Sequence, residues 1–179
     1  LLQLDPEETV MAVVDTRDYE TMRYLLFATQ EGVVKKTAFS AYGNIRQNGL
    51  RAIKMREDDQ LVRVIPINGE IDVCLVTKNG RVMRFHPDEV REMGRVASGV
   101  RGVKLKEGDK VVSCAVARDD HQLLLVSSQG FGKRTPFDSF NTKHRGGQGV
   151  TGMKMRGGSG EIVRGLSVLP DDEAMLIAK

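Results

Sequence analysis

Tryptophan is absent from this 179-residue chain, and only three tyrosines, six phenylalanines and two cysteines are present. So few aromatic residues argue against a stacking platform for single-stranded nucleic acid. Cys74 and Cys114 sit inside apolar runs, Val73-Cys74-Leu75-Val76 and Ser113-Cys114-Ala115-Val116. Two isolated cysteines make neither a disulfide framework nor a metal site, and buried free thiols suit a reducing compartment. No apolar run approaches the roughly 18 residues that a membrane helix needs. The opening Leu1-Leu2-Gln3-Leu4-Asp5-Pro6 lacks the basic-then-apolar pattern of a secretory signal, and the missing initial Met suggests a piece of a longer chain. Net charge is only +3. Membrane and secreted classes are therefore set aside, leaving a globular domain of ordinary composition with a cytoplasmic setting expected.

What is present is repetition. The segment Tyr24-Leu25-Leu26-Phe27-Ala28-Thr29-Gln30-Glu31-Gly32-Val33-Val34-Lys35-Lys36-Thr37 recurs from Val73 to Phe85 and again from Leu123 to Thr135. Its turn glycines, Gly32, Gly80 and Gly130, are 48 and 50 residues apart. Downstream, Ala52-Ile53-Lys54-Met55 matches Gly102-Val103-Lys104-Leu105 and Gly152-Met153-Lys154-Met155, and an apolar stretch follows each: Leu61 to Ile67, Val111 to Ala117, Ile162 to Val168. A fixed period of this length marks a repeat architecture. Three units span 21–70, 71–120 and 121–172. Residues 1–20, in which Leu1-Leu2-Gln3-Leu4 is followed by Val10 to Val14, read as the second half of an earlier unit, and 173–179 begin a later one.

Each unit is predicted to hold four short strands and to form one blade. The first strand is apolar throughout, as for a strand buried on both faces. Glu31-Gly32, Asn79-Gly80 and Gln129-Gly130 supply tight hairpin turns. The second strand is basic, the third is the short segment after a Gly-rich loop, and an acidic turn such as Arg56-Glu57-Asp58-Asp59 leads to the fourth. Pro87 to Met93 can make one helical turn. The fold class expected is all-β, a β-propeller or β-pinwheel-like array of four-stranded blades.

Charge is distributed with the same period. Residues 33–54, 81–104 and 131–154 carry net charges of +5, +3 and +4, so the remainder carries −9. Recurring cations on equivalent blades predict a basic belt along one rim, suited to phosphates of a bent duplex rather than to base reading. The candidate DNA-binding cations are Lys35, Lys36, Arg46, Arg51, Arg84, Arg95, Arg101, Lys133, Arg134, Lys143, His144 and Arg145. Gly146, Gly147 and Gly149 join them, because Lys143-His144-Arg145-Gly146-Gly147-Gln148-Gly149 places three glycines where backbone amides can approach an anion.

That last stretch resembles the box motif, Gln-Arg-Arg-Gly-Gly-Lys/Arg-Gly, of the C-terminal DNA-wrapping domains of bacterial gyrase A proteins. Arg145, Gly146, Gly147 and Gly149 match it, whereas Lys143, His144 and Gln148 depart. "ATQEGVVKKT", "SSQGFGKRTPFDSF" and "MGRVASGVRGVKL" are similar to repeats of the same family, and the likeness runs the length of the chain. The motif lies in the last complete unit and looks like the later second copy that some gyrases carry; the family's main box lies in the first blade. The resemblance implies a β-pinwheel of about six blades, non-catalytic wrapping of double-stranded DNA, and a place in an A2B2 assembly with gyrase B, with ATP and Mg bound elsewhere in the holoenzyme. It also implies a cytoplasmic, nucleoid-associated location. The A-type component of topoisomerase IV is the near alternative. A protein-docking propeller is the more distant one, as no Gly-His or Trp-Asp signature occurs. Met22-Arg23-Tyr24 looks like a topoisomerase cleavage pair, but Tyr24 opens an apolar strand and is expected to be structural. His86, His121 and His144 lack ligand-spaced partners, and no catalytic residue is assigned.

Overall fold

The computed structural model describes residues 4–15, 22–43 and 49–175. Within them the chain forms β1 (Tyr24–Thr29), β2 (Val33–Ala38), β3 (Leu61–Ile67), β4 (Val73–Thr77), β5 (Arg81–Phe85), β6 (Val100–Arg101), β7 (Val111–Val116), β8 (Gln122–Ser127), β9 (Gly132–Pro136), β10 (Val150–Thr151) and β11 (Ile162–Val168). Three antiparallel sheets result, ordered β3-β1-β2-β6, β10-β5-β4-β7 and β11-β8-β9. The propeller-type array of blades is borne out.

The blades are not coextensive with the sequence repeats. β6 belongs to the second unit but pairs with β2 of the first, Val33 opposite Arg101, and β10 of the third unit pairs with β5 of the second, Val82 opposite Val150. The second and third units thus each contribute their short third strand to the blade before them. That strand also begins two residues earlier than expected, at Val100 and Val150 rather than at Gly102 and Gly152. A unit cut at 70 or 120 would leave its blade one strand short.

Why these residues fold this way is visible at the turns. The first two hairpin loops hold three residues and the third holds four, and the glycine in third place lies in the left-handed region, φ 75° at Gly32, 77° at Gly80 and 80° at Gly130. A hydroxyl at the end of each first strand accepts an amide from just beyond the turn: Thr29 from Val33, Thr77 from Arg81, Ser127 from Phe131. Asp59 and Asp109 likewise accept from the loop amides of Glu31 and Asn79, so these acids close the hairpin ends. Pro87–Glu89 and Phe137–Ser139 form single 3-10 turns. No strand occurs at Val10 to Val14. Val14 packs beside Leu25, Phe27 and Phe39.

The core lies between blades. Leu26, Ala28 and Val34 of the first sheet meet Val73, Leu75, Met83 and Phe85 of the second, whose other face, Cys74, Val76 and Val82, meets Leu123, Leu125 and Phe137 of the third. The middle sheet is therefore apolar on both faces, which explains its unbroken hydrophobic first strand. Cys74 and Cys114 are buried free thiols that belong to different core layers. The fourth strands β3, β7 and β11 pack side by side about the axis, and the exchanged strands β6 and β10 form the opposite, outer edges.

Glycine marks the seams. A Cβ on Gly80 would lie 2.2 Å from the Met153 carbonyl oxygen of the next unit, whereas one on Gly130, at the same place in the last unit, would meet nothing within 4 Å. Both have positive φ. Gly130→Ala should therefore cost about 1 kcal/mol, a backbone cost alone, and Gly80→Ala at least about 3 kcal/mol, because the seam must open as well. Chemical denaturation of the two variants measures the difference; equal losses would contradict this account of the seam.

Candidate nucleic-acid interface

The structure divides the predicted cations into two groups. The first group is withdrawn from solvent. Lys35 is fully buried, with Nζ 2.5 Å from both the Ala52 and Arg95 carbonyl oxygens and 5.0 Å from the Phe27 ring centre. Lys36, 6% exposed, donates to the Pro87 carbonyl at 3.0 Å and lies 3.6 Å from Asp88. Arg84 pairs with Asp72 at 2.8 Å and donates to the carbonyls of Phe137 and Phe140. The expectation that Lys35, Lys36 and Arg84 line an exposed rim is thus corrected. Their place on the middle of a blade strand faces the neighbouring blade, where backbone carbonyls need donors.

These contacts repeat. Lys36 and Arg84 each stand four residues after the turn glycine, and each reaches the first residue of the next blade's 3-10 turn, Pro87 or Phe137. Arg134 holds the same position in the last unit and donates to Pro170 and Asp172 instead. Lys35 and Lys133 form a second matched pair, donating to Ala52 and Gly152. The seam's backbone follows the same period. Gly102 and Val103 amides reach Gly32, and Gly152 and Met153 amides reach Gly80; Lys54 donates to Ala97, and Lys104 to Gly147.

The box-like loop is part of that seam. Gly146 donates its amide to Gly102, Lys143 its amide to Arg84, and the Arg145 guanidinium holds the carbonyls of Glu89 and Arg101 at 2.7 and 2.9 Å. The Glu89 carboxylate takes the Arg145 amide at 2.7 Å and stands 3.0 Å from His144 Nδ1. Arg145 and Gly146 are therefore anchors rather than free anion ligands. Gly149 is needed for the seam as well, since a Cβ there would lie 2.4 Å from the Val82 carbonyl oxygen. Gly147 lies beside Met83. The loop's outward side chains are Lys143 and His144, the latter 99% exposed.

The second group is exposed. Arg51, Arg101, Lys133 and Arg134 lie at the surface, Arg101 on the outer strand β6; Arg95 is half-buried, and Arg46 lies outside the described residues. The most regular members are not among the predicted site residues: Lys54, Lys104 and Lys154, with Arg56, Lys106 and Arg156 two residues on. All six are exposed, while Met55, Leu105 and Met155 between them turn inward. Their spacing of 50 and 50 residues is visible in the sequence, and the alternation of exposed cation and inward apolar residue is the signal that could have found them. Lys106, Lys154, Arg156 and Arg81 line a cleft of about 520 Å³ at the seam between the second and third blades. Its one acid, Asp109, is engaged with hairpin amides.

A propeller built of strand-exchanging repeats, with cations in period on its surface, is the class that the fold and surface define. The family model described as DNA gyrase C-terminal domain, beta-propeller, matches residues 23–68, 72–118 and 121–169, one match per unit. The chain belongs to this family. It is 41% identical over 97 residues to the DNA gyrase A protein of Clostridium acetobutylicum and 41% identical over 99 residues to that of Streptococcus pyogenes serotype M3. These matches cover 54% and 55% of the chain and 12% of each relative, so the chain spans a small part of their length. Among solved structures, the C-terminal domain of a DNA topoisomerase IV is similar at TM-score 0.84 and 30% identity, over 92% of this chain and 52% of that one. A DNA gyrase A C-terminal domain is similar at TM-score 0.84 and 27% identity, over 96% and 57%.

Burial, and then the Arg95 charge, push the Lys35 ammonium down to about 8 from its ordinary 10.5. Between those values the unfolded chain binds the proton and the folded chain does not, so folding stability attributable to Lys35 rises with pH through that window. Lys35→Met copies Met83, which stands three residues after its own turn glycine as Lys35 does. The stability of the parent chain relative to Lys35→Met should increase between pH 7.5 and pH 10, by about 1–3 kcal/mol. Urea denaturation at the two pH values measures it; a constant difference would mean that Lys35 keeps an ordinary titration.

Proposed function

We propose that this chain is a non-catalytic, duplex-binding part of a gyrase A-type protein, which bends double-stranded DNA around its rim. The observation that carries the reading is the exposed ladder of Lys54/Arg56, Lys104/Lys106 and Lys154/Arg156 on successive blades. Equivalent positions in an array follow a curved path, and phosphates on a bent duplex can track it. Six exposed cations neutralise phosphates and release counterions without reading bases, so binding is tolerant of sequence and steep in salt. Lys143, His144 and Arg101 extend the positive surface beside the ladder. In the intact enzyme the wrap would give ATP-dependent supercoiling its direction, with gyrase B, ATP and Mg acting elsewhere in a cytoplasmic A2B2 complex. A topoisomerase IV A-type protein is the second reading, favoured by the likeness to the topoisomerase IV domain.

Replacing all six ladder cations with Gln should abolish most binding to a duplex of about 100 base pairs and reduce the slope of log K against log salt by roughly 5. Arg84→Met, by contrast, should destabilise the fold by about 2–4 kcal/mol, since it leaves Asp72 without its ion-pair partner and two carbonyls without a donor. Gel-shift titrations across salt concentrations, beside thermal melts, separate the two effects. Undiminished binding by the ladder variant would remove the basis of the reading.

A further inference from the structure

The inner ends of the blades carry a second cationic cluster that the rim does not use. Strands β3 and β11 line two adjoining pockets of about 370 and 290 Å³, the larger walled also by residues 11–15 and the smaller by β7, and Arg63 lines both. Arg164 lines the larger pocket, and Arg118 and His121 line the smaller. Arg63 is fixed by a 3.1 Å bond from one guanidinium nitrogen to the Cys114 carbonyl, which leaves its other N–H groups unassigned. Among the described residues, none of the three arginines is in an ion pair with a carboxylate. Asp120 lies 2.6 Å from His121 Nδ1, which orients that ring with its other nitrogen unengaged. Asp15 is the one acid that lines the larger pocket.

Ile65, Val116 and Leu166 supply apolar walls, which strengthen attraction between the guanidinium groups and an anion. The pockets are far too small for a duplex and large enough for one or two phosphate groups.

We propose that these two pockets form a site for a small phosphate-type oxyanion, with Arg63, Arg118 and Arg164 as its charged ligands. The site is separate from the rim ladder and does not depend on duplex binding. Inorganic pyrophosphate is the probe. Isothermal titration of the whole chain at low salt should show saturable binding. Arg118→Gln with Arg164→Gln should weaken that binding at least ten-fold. These side chains are exposed and make no described hydrogen bond, so their replacement leaves the fold intact. Lys104→Gln with Lys154→Gln should leave it unchanged. The absence of saturable binding, or equal losses from the rim and pocket variants, would overturn the proposal, the latter by showing that pyrophosphate merely condenses on exposed charge.

Discussion

The structure depends on the seam, where a short strand of one unit completes the sheet of the unit before it. That exchange makes every complete blade a joint product of two repeats, so no unit has a full hydrogen-bonded sheet alone. The apolar layers follow the same rule, each formed by the facing sides of two sheets. Stability in such an array is expected to pass from neighbour to neighbour, with the ends weakest. Among the described residues the sheet β11-β8-β9 has three strands, and Phe131 stands 54% exposed beside β9.

The seam also explains why positive charge is needed twice. Successive blades present backbone carbonyls to each other at the 3-10 turns and at the start of the third strand. Lys and Arg satisfy these because they carry several donors on a long apolar stem. Burial of such a cation has an electrostatic cost that is tolerable only with carbonyls, an aromatic face or an acid close by. Lys35 has two carbonyls and the Phe27 ring, Lys36 has Pro87, Asp88 and the Tyr24 ring, and Arg84 has Asp72. Cations that lack these surroundings stay at the surface, and only they are available to a partner. One periodic charge pattern therefore contains two physical roles, separated by whether the side chain points into a seam or away from it.

Much of this is legible in the sequence. The period, the apolar first strands, the turn glycines and the structural place of Tyr24 follow from residue order, because each is a local signal. Strand exchange is not legible, since Val100-Arg101 and Val150-Thr151 look alike whether they pair within their own unit or with the preceding one. The site is legible in part. Positive charge recurs, but Lys35, Lys36 and Arg84 stand out by lying on the most similar segments, and similarity there reflects seam geometry. The ladder at Lys54, Lys104 and Lys154 lies in the same alignment, on segments too short to stand out. The glycines of the box-like stretch look like room for an anion, whereas Gly149 makes room for the Val82 carbonyl of the preceding unit.

The division of cations into seam and surface is open to a direct test. Lysine acetylation of the folded chain, mapped by mass spectrometry with and without duplex DNA, reads both groups in one experiment. Lys54, Lys104 and Lys154 should react readily in the free chain and become protected by duplex, while Lys35 and Lys36 stay unreactive in both states. Rapid modification of Lys35 and Lys36, protected by DNA while the ladder lysines are unaffected, would contradict the account.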